Sequence, residues 1–339
     1  MKIAILGGSF DPVHLGHLQM AHQAKKLLGV AQVWFLPTKK TPLKDRQLTN
    51  DQDRLAMLET ALAPYPEYIV CTLELEREGT SYTVDTLREL HARYADHEFF
   101  WLIGNDQLEQ FDRWKEPKTL VQLANFVCFD RDGKSKKTAY PIRQIHMSPI
   151  PVSSSEIRKG KKLNYLAPQV LDYIYQHRLY LSGFLEERLK PKRVAHSLSV
   201  ANLCEKFARA HNLDLNRAFL IGCFHDIAKN MTESEMKPWM EIVCPENMRY
   251  PCPVWHGFVA SEIVDRIFGI HDLQIRQAIY HHVLGTSTDP YAMIVFCADK
   301  LDPLRGYPVQ EQIALVEQDL SKGFWMVKEE NQKYLEGKE

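Results

Sequence analysis

The chain has 339 residues, and its 45% hydrophobic and 25% charged content is typical of a soluble protein with enough apolar material for sizeable cores. Its 42 basic and 43 acidic side chains nearly cancel, and the formal net charge of −1 argues against a general nucleic-acid or anionic-membrane binder. A chain of this length predicts two domains.

The cysteines and the N-terminus indicate the compartment. Seven cysteines are scattered without a C-x-x-C pair, which makes a disulfide framework a poor explanation and favours a reducing compartment. The opening MKIAIL is too short for a signal-peptide core, and no run approaches the roughly 18 apolar residues of a membrane span. We therefore expect a cytoplasmic protein without a membrane partner.

Strand-like and helical runs alternate in the first half of the chain. Strands are predicted at 2–6, 30–37, 67–75, 98–104 and 125–131, and helices near 16–28, 50–62 and 82–94. This alternation predicts an α/β Rossmann-like domain with a mostly parallel sheet. Ligands bind beyond the carboxyl ends of such strands, where residues 7–17 and 104–106 would lie.

The pattern changes after about residue 165. Apolar residues there recur at helical spacing, and strand-like runs mostly disappear. We place the boundary near Ser182–Gly183, which predicts domains at 1–183 and 184–339, the second of them all-α.

The segment GGSFDPVHLGHL (7–18) is the first chemical signature. Gly7 and Gly8 allow the backbone to approach a ligand closely. His14 and His17 lie three residues apart at the start of a predicted helix, where imidazoles and free N–H groups suit phosphate binding. On spacing alone, a plain turn with two histidines at a helix start is an equal alternative.

The whole segment resembles the nucleotidylyltransferase superfamily, whose (H/T)-x-G-H mark appears here as His14 to His17. Residues 1 to about 181 resemble the nicotinate-nucleotide adenylyltransferases of bacterial NAD synthesis. Further matches lie at LPTKKTPLK (36–44), GTSYTVDTL (79–87), LIGNDQLEQFDRW (102–114) and PVSSSEIRKG (151–160). As an alternative for the last match, Ser153 and Glu156 would form a capping box at a helix start.

The resemblance implies attack of a mononucleotide phosphate on the α-phosphate of ATP, with Mg²⁺ bridging phosphates and pyrophosphate leaving. The residues it implies as catalytic are His14, His17, Lys44 and Arg158. Those it implies for ATP binding are Gly7, Gly8, Ser9, Phe10, His14, His17, Ser154 and Arg158. Those it implies for the pyridine nucleotide are Tyr82, Thr83, Asp106 and Trp114.

Two positions depart from the family pattern. Asn105 stands where the family usually has Ala, and Lys115 stands where an aromatic residue or His often follows the Trp. A cation at Lys115 would favour the carboxylate of nicotinate mononucleotide, or it would point to solvent. Nicotinamide mononucleotide and a pantetheine phosphate are the alternative acceptors.

The second half carries a series of histidines and carboxylates within apolar helical stretches: His196, His225, Asp226, His256, His281, His282 and Asp299. Any one of these histidines alone is more often an ordinary hydrogen-bonded residue. Isolated charged groups are costly among apolar side chains, and a bound cation would satisfy several at once. Nitrogen and oxygen ligands are compatible with Fe, Mn or Zn, so the donor set does not choose the metal.

The order H…HD…D resembles the HD superfamily of metal-dependent phosphohydrolases. The resemblance implies two metal ions, for which we expect iron with manganese as an alternative, held by His196, His225, Asp226, His256, His282 and Asp299. Asp226 would be the bridging, catalytic ligand, and Lys229 and Arg305 would contact phosphate. HDIAK (225–229) and ADKLDPLR (298–305) resemble the bacterial HD family that cleaves diadenosine tetraphosphate symmetrically to two ADP.

Together these features predict a bifunctional enzyme whose partners are ATP, nicotinate mononucleotide and a diadenosine polyphosphate, with a homo-oligomer as an open alternative to a monomer. The rivals for the second domain are hydrolysis of another nucleotide and a nucleotide-sensing module. A non-enzymatic scaffold is a more distant alternative.

Overall fold

A computed structural model of the chain describes residues 1–39, 47–130, 136–148, 150–306 and 308–336. These residues form two compact units. The first unit comprises residues 1–157 and 164–173, and the second comprises residues 158–163 and 174–339. The boundary predicted near residue 183 for the two family domains stays a prediction.

A parallel sheet organises the first unit. Its spatial order is β3-β2-β1-β4-β5-β6, and each neighbouring pair runs in the same direction. The strands are β1 (Lys2–Gly8), β2 (Gln32–Pro37), β3 (Tyr68–Val70), β4 (Glu98–Gly104), β5 (Asn125–Asp130) and β6 (Arg143–His146). The strand order reverses between β1 and β4, which opens a crevice at their carboxyl ends. The α/β Rossmann-like prediction is confirmed.

The centre of the sheet is buried on both faces. Ile3, Ala4, Ile5 and Leu6 of β1 are all at most 4% exposed, which explains why this strand is a continuous apolar run instead of an alternating one. The helices of this unit are α1 (Leu15–Leu28), α2 (Asp51–Leu62), α3 (Thr83–Arg93), α4 (Asn105–Glu109), α5 (Pro117–Leu123) and α6 (Ser154–Ile157). A longer helix, α7 (Pro168–Gln176), follows.

Two edge strands differ from the prediction. The strand expected over 67–75 is wrong beyond Val70, because the backbone turns at Thr72 and the Leu75 N–H donates to the Thr72 carbonyl at 2.8 Å. Leu73 reaches the core from this turn and is 4% exposed, so its apolar character reflects burial without a strand. The sequence did not predict β6, since four partly exposed, mainly polar residues carry no clear alternation.

The described residues of the second unit form helices joined by loops, without strands, as predicted for the all-α domain. Its helices are α8 (Leu181–Glu186), α9 (Pro191–Ala210), α10 (Leu215–Phe224), α11 (Glu233–Val243), α12 (Cys252–Arg266), α13 (Leu273–His281), α14 (Pro290–Lys300), α15 (Gln310–Gln318) and α16 (Leu320–Glu336). Within the parts of the chain that the structure describes, no helix combines the length and the apolar content needed to cross a bilayer.

The helices α9 and α10 pack closely against each other at Gly222. A Cβ at Gly222 would lie 2.5 Å from Ala201 Cα and 2.7 Å from its backbone nitrogen, so only glycine permits this approach. The helix α10 ends immediately before His225 and Asp226. This contact therefore fixes α9 and α10 relative to each other three residues before His225.

We expect Gly222→Ala to destabilise the second unit by about 1–3 kcal/mol, because the added methyl group must push the two helix backbones apart. The free energy of unfolding from urea denaturation measures the effect. Lys192→Ala, at an exposed position of α9, is the control and should leave stability nearly unchanged. Equal stability of both variants would show that the helices separate at little cost.

Candidate functional sites

The loop after β1 brings the two predicted histidines together. His14 is the N-cap of α1, and its backbone N–H donates to His17 Nδ1 at 3.2 Å. The two imidazoles stack with ring centroids 3.8 Å apart. Both rings therefore stand at the N-terminus of a 14-residue helix, where free N–H groups favour an anion.

Two other predicted residues support this loop. Phe10 is 1% exposed, and its ring meets the His17 ring edge-on with the ring centroids 5.1 Å apart. Its predicted contact with the nucleotide stays a prediction. Ser154 donates its hydroxyl to the Pro12 carbonyl at 2.9 Å, which ties α6 to the loop. The alternative for Ser153 is also present, since its hydroxyl accepts the Glu156 N–H at 3.2 Å as a helix cap.

Arg54, which the sequence did not predict as a site residue, stabilises the loop through hydrogen bonds to its backbone. The Arg54 side chain is fully buried and donates to the Ser9 carbonyl at 2.6 Å and to the Thr38 carbonyl at 2.8 Å. A third bond reaches the Asp51 carboxylate at 2.6 Å. This guanidinium fixes the ends of β1 and β2 relative to each other, and no motif marks it in the sequence.

A cavity of about 220 Å³ opens at the carboxyl ends of β1 and β4. It brings together seven of the predicted residues: Gly7, Gly8, Ser9, Tyr82, Thr83, Asp106 and Trp114. His14, His17 and Ser154 are not among the lining residues. Trp114 is partly buried and packs against Phe111 at 5.4 Å, which leaves the indole both anchored and exposed to the cavity.

Two cations stand in the wall of this cavity, Arg113 and Lys115. Lys115 Nζ lies 2.9 Å from an Asp85 oxygen and 4.8 Å from the centre of the Tyr82 ring. Lys115 lines the cavity and its side chain is also 43% exposed, so neither of the two outcomes that the sequence left open is excluded. Asn105 instead has a structural role, since it donates to Asp130 at 2.7 Å and ties the ends of β4 and β5 together.

A buried carboxyl group also lines the cavity and was not predicted. Glu74 is 2% exposed, and its Oε1 accepts the Thr86 hydroxyl at 2.8 Å. Burial raises the pKa of Glu74 above its ordinary 4.5, although the Thr86 and Ser81 hydroxyls and the Arg77 charge act in the opposite direction. A charged Glu74 therefore costs the folded state some stability.

Two predicted phosphate ligands remain predictions. Lys44 lies outside the described residues. Arg158 directly follows α6 and belongs to the second compact unit.

In the second unit, the four predicted histidine ligands converge on the Asp226 carboxylate. Asp226 Oδ2 lies 3.7 Å from His225 Nε2 and 3.8 Å from His196 Nε2. Asp226 Oδ1 lies 3.1 Å from His256 Nε2 and 3.9 Å from His282 Nε2. Each oxygen of Asp226 therefore faces its own pair of imidazoles, as a carboxylate bridging two ions would.

The remaining carboxylate belongs to one half of this cluster. Asp299 Oδ1 lies 3.2 Å from His196 Nε2 and 3.9 Å from His225 Nε2. His281 points elsewhere and its Nδ1 lies 2.7 Å from the Thr286 hydroxyl, so the structure places His282, and not His281, in the cluster.

Every histidine in the cluster is held by its Nδ1. The Nδ1 atoms of His225, His256 and His282 lie 2.6–2.7 Å from backbone carbonyls three residues earlier in the chain. His196 Nδ1 instead lies 2.6 Å from Asp302 Oδ2. In each ring the Nε2 atom is left facing Asp226.

Electrostatics favour a cation at this cluster. Burial lowers the pKa of His225 to about 4, so its imidazole is neutral at pH 7. Burial alone would raise the pKa of Asp226, but the surrounding imidazoles hold it well below its usual range. Burial also lowers the pKa values of His256 and His282, whereas for His196 burial is outweighed by the Asp299 and Asp302 carboxylates, which raise the pKa. Three neutral imidazoles and an ionised carboxylate are in the protonation states that metal ligands need.

One buried atom tests the fit directly. His225 Nε2 is inaccessible to solvent, and no hydrogen bond reaches it from the residues that the structure describes. An unsatisfied buried nitrogen costs about 1–3 kcal/mol, and a cation between Asp226 and the imidazoles would remove that cost. The side chains present therefore fit two divalent ions sharing Asp226.

Four cations surround the cluster. Arg193 lies 3.0 Å from Asp226, and Lys229 Nζ lies 3.1 Å from His256 Nε2. Lys300 and Arg305 reach Asp299 at 2.6 and 2.7 Å. Lys229 and Arg305 were predicted, whereas Arg193 was missed because a basic residue in a helical first turn carries no specific signal.

Comparison with known proteins follows the division of the chain. A Cytidylyltransferase-like family model matches residues 5–160, and an HD domain model matches residues 193–304. A probable nicotinate-nucleotide adenylyltransferase of Geobacillus thermodenitrificans is 43% identical over 53% of this chain and 86% of its own length.

Two relatives span both halves. Proteins of Mycoplasma pneumoniae and Mycoplasma genitalium named probable nicotinate-nucleotide adenylyltransferase/Ap4A hydrolase are 28% and 29% identical. The alignments cover 94% and 95% of this chain and 96% and 95% of those proteins. The order of domains predicted from the sequence is thus found in whole proteins.

Because the pKa of Glu74 is raised on folding, Glu74→Gln should gain stability relative to the parent as pH rises above about 4.5. The difference should grow through the raised pKa of the folded protein and then level off. Urea unfolding at a series of pH values measures it, with Glu78→Gln at an exposed position of the same segment as the control. A pH-independent difference for Glu74→Gln would contradict this account.

Proposed function

The chain belongs to the nicotinate-nucleotide adenylyltransferase family and carries an HD domain, and we propose that it is a bifunctional enzyme acting on adenine nucleotides. The first activity transfers the adenylyl group of ATP to nicotinate mononucleotide, giving deamido-NAD and pyrophosphate. The second is the metal-dependent hydrolysis of diadenosine tetraphosphate to two ADP.

The cavity between β1 and β4 carries the first proposal. The residues predicted for ATP (Gly7, Gly8 and Ser9) and for the pyridine nucleotide (Tyr82, Thr83 and Trp114) line this one cavity, so two ligands could meet there. The Trp114 indole would stack on the pyridine ring. Transfer of this kind requires in-line alignment of the attacking phosphate with the α-phosphate, and such alignment is what a rigid cavity supplies.

The paired imidazoles of His14 and His17 would hold the triphosphate at the start of α1, with Lys44 and Arg158 as further phosphate ligands. Positive charge there stabilises the negative charge that develops on the leaving pyrophosphate. Mg²⁺ bound with ATP would neutralise part of the same charge. No covalent enzyme intermediate is needed.

Arg113 and Lys115 in the cavity wall support an anionic acceptor, although Glu74 and Asp106 line the same cavity and Lys115 is paired with Asp85. A carboxylate on the pyridine ring would gain from both cations, whereas the neutral amide of nicotinamide mononucleotide would not. This charge is the observation that favours nicotinate mononucleotide over nicotinamide mononucleotide or a pantetheine phosphate.

The two-sided arrangement of imidazoles around Asp226 carries the second proposal. His196, His225 and Asp299 would complete one ion site and His256 and His282 the other. Divalent ions bound there, with iron expected, would supply Lewis-acid assistance to attack of water on phosphorus. Arg193, Lys229 and Arg305 would bind the polyphosphate, since all three stand beside the cluster.

All six ligands predicted from the HD pattern are present, which argues against a degenerate sensing module. Hydrolysis of a different nucleotide is the alternative. The seven cysteines are free thiols, which fits the cytoplasm as the setting we propose.

The proposal is tested by separating the two activities. We expect His17→Ala to lower adenylyl transfer at least about 100-fold and to leave hydrolysis of diadenosine tetraphosphate unchanged. Asp226→Ala should abolish hydrolysis and leave adenylyl transfer unchanged, because each residue serves a separate chemistry.

Deamido-NAD and ADP are quantified by chromatography, with nicotinamide mononucleotide as the comparison acceptor and with ATP plus AMP as the products of asymmetric cleavage. A parent protein that prefers nicotinamide mononucleotide, or that releases no ADP when replete with metal, would refute the corresponding activity.

A further inference from the structure

Among the four histidines of the cluster, His196 is held differently from the others. Its Nδ1 lies 2.6 Å from a carboxylate oxygen of Asp302, whereas the other three rings are held by backbone carbonyls. The resemblance to the HD superfamily assigns no role to Asp302. This residue follows α14 three positions after Asp299 and is 1% exposed.

Both oxygens of Asp302 are committed inside the protein. Oδ2 faces His196, and Oδ1 accepts the Ser199 hydroxyl at 2.6 Å and the Leu304 N–H at 3.2 Å. Ser199 lies on α9 three residues after His196, so one helix supplies both partners. The carboxylate is therefore fixed in orientation and cannot swing toward solvent.

An acceptor at Nδ1 requires the proton of the neutral imidazole to sit there. The lone pair of His196 Nε2 is then directed toward Asp299 at 3.2 Å and Asp226 at 3.8 Å. A carboxylate acceptor holds the proton on Nδ1 more strongly than a backbone carbonyl does. It also makes the ring a better electron-pair donor at Nε2.

We propose that Asp302 is a positioning residue that sets the tautomer of His196 and thereby the affinity of the ion site formed by His196, His225, Asp226 and Asp299. The inference rests on the proposed metal-dependent function of this cluster. The metal affinity of the second ion site, formed by Asp226, His256 and His282, should not depend on Asp302.

Asp302→Asn is the most selective test because it preserves volume and capping. The Asn Oδ1 would remain with the Ser199 hydroxyl and the Leu304 N–H, which places the amide NH₂ against His196 Nδ1. An N–H donor there forces the imidazole proton onto Nε2, the atom required for the metal. Asp302→Ser also caps well but is too short to reach the ring.

The metal-free parent and variants are titrated with Mn²⁺ by calorimetry. The tautomer of His196 is read from ¹⁵N NMR of the metal-free protein at a pH high enough for the ring to be neutral, because a carboxylate lies beside each of its nitrogens. We expect two binding events in the parent. Asp302→Asn should weaken one of them about 10–100-fold and leave the other unchanged. The Mn²⁺ affinities of Asp302→Ser should be close to those of Asp302→Asn. The NMR signature should shift from an Nδ1–H to an Nε2–H imidazole in Asp302→Asn.

A double-mutant cycle separates positioning from a general structural role. If Asp302 acts through His196, adding Asp302→Asn to His196→Ala should cause no further loss of Mn²⁺ affinity. Full additivity, or parent-like affinity and tautomer in Asp302→Asn, would overturn the inference while leaving the hydrolase proposal intact.

A parent protein that binds no Mn²⁺ would overturn both the inference about Asp302 and the hydrolase proposal. Melting temperatures of the metal-free proteins report folding. Should Asp302→Asn fail to fold, Ser199→Ala removes only the hydroxyl that holds Oδ1, and a smaller loss at the same ion site is expected. Unchanged affinity in Ser199→Ala would then overturn the inference.

Discussion

The second unit is organised around the burial of one carboxylate. Asp226 is 2% exposed and carries charge among four imidazoles, a situation that is unfavourable unless a cation or several donors compensate it. Five helices or their ends deliver the ligands, namely α9, α10, α12, α13 and α14. The packing that permits this, such as the close approach of α9 and α10 at Gly222, therefore serves the site as well as the core.

In the first unit, the features suited to binding anions come mainly from the backbone and from the shape of the sheet edge. Parallel strands end together at one edge of the sheet, and the helix that follows β1 presents its N-terminus there. Buried or partly buried side chains hold the backbone of this site in place through hydrogen bonds. Arg54 holds the ends of β1 and β2, and Ser154 holds the loop through Pro12.

The sequence predicted those parts of each site that lie in contiguous or ordered motifs. The residues between Gly7 and His17, the pair His225-Asp226 and the spacing to Asp299 all carry recognisable chemistry, and the structure brings each set together. The predicted roles of these residues stay predictions, since the structure establishes their placement and not their action.

Residues whose role depends on three-dimensional contact escaped the sequence. Glu74 resembles any other charge in a strand-like run, yet the turn at Thr72 carries it into the cavity wall. Arg54 lies on the same face of α2 as the apolar residues Met57, Leu58 and Ala61, but only the fold shows that its charged side chain is buried with them. Asp302 is one more carboxylate after Asp299 until its distance to His196 is known.

The shared role of Asp226 is the central claim, and anomalous diffraction from crystals of the metal-loaded protein tests it most directly. The account predicts two anomalous peaks roughly 3.5–4 Å apart, one on each side of the Asp226 carboxylate. One peak should lie next to His196 and His225 and the other next to His256 and His282. A single peak in the cluster, or the absence of any peak there, would contradict it.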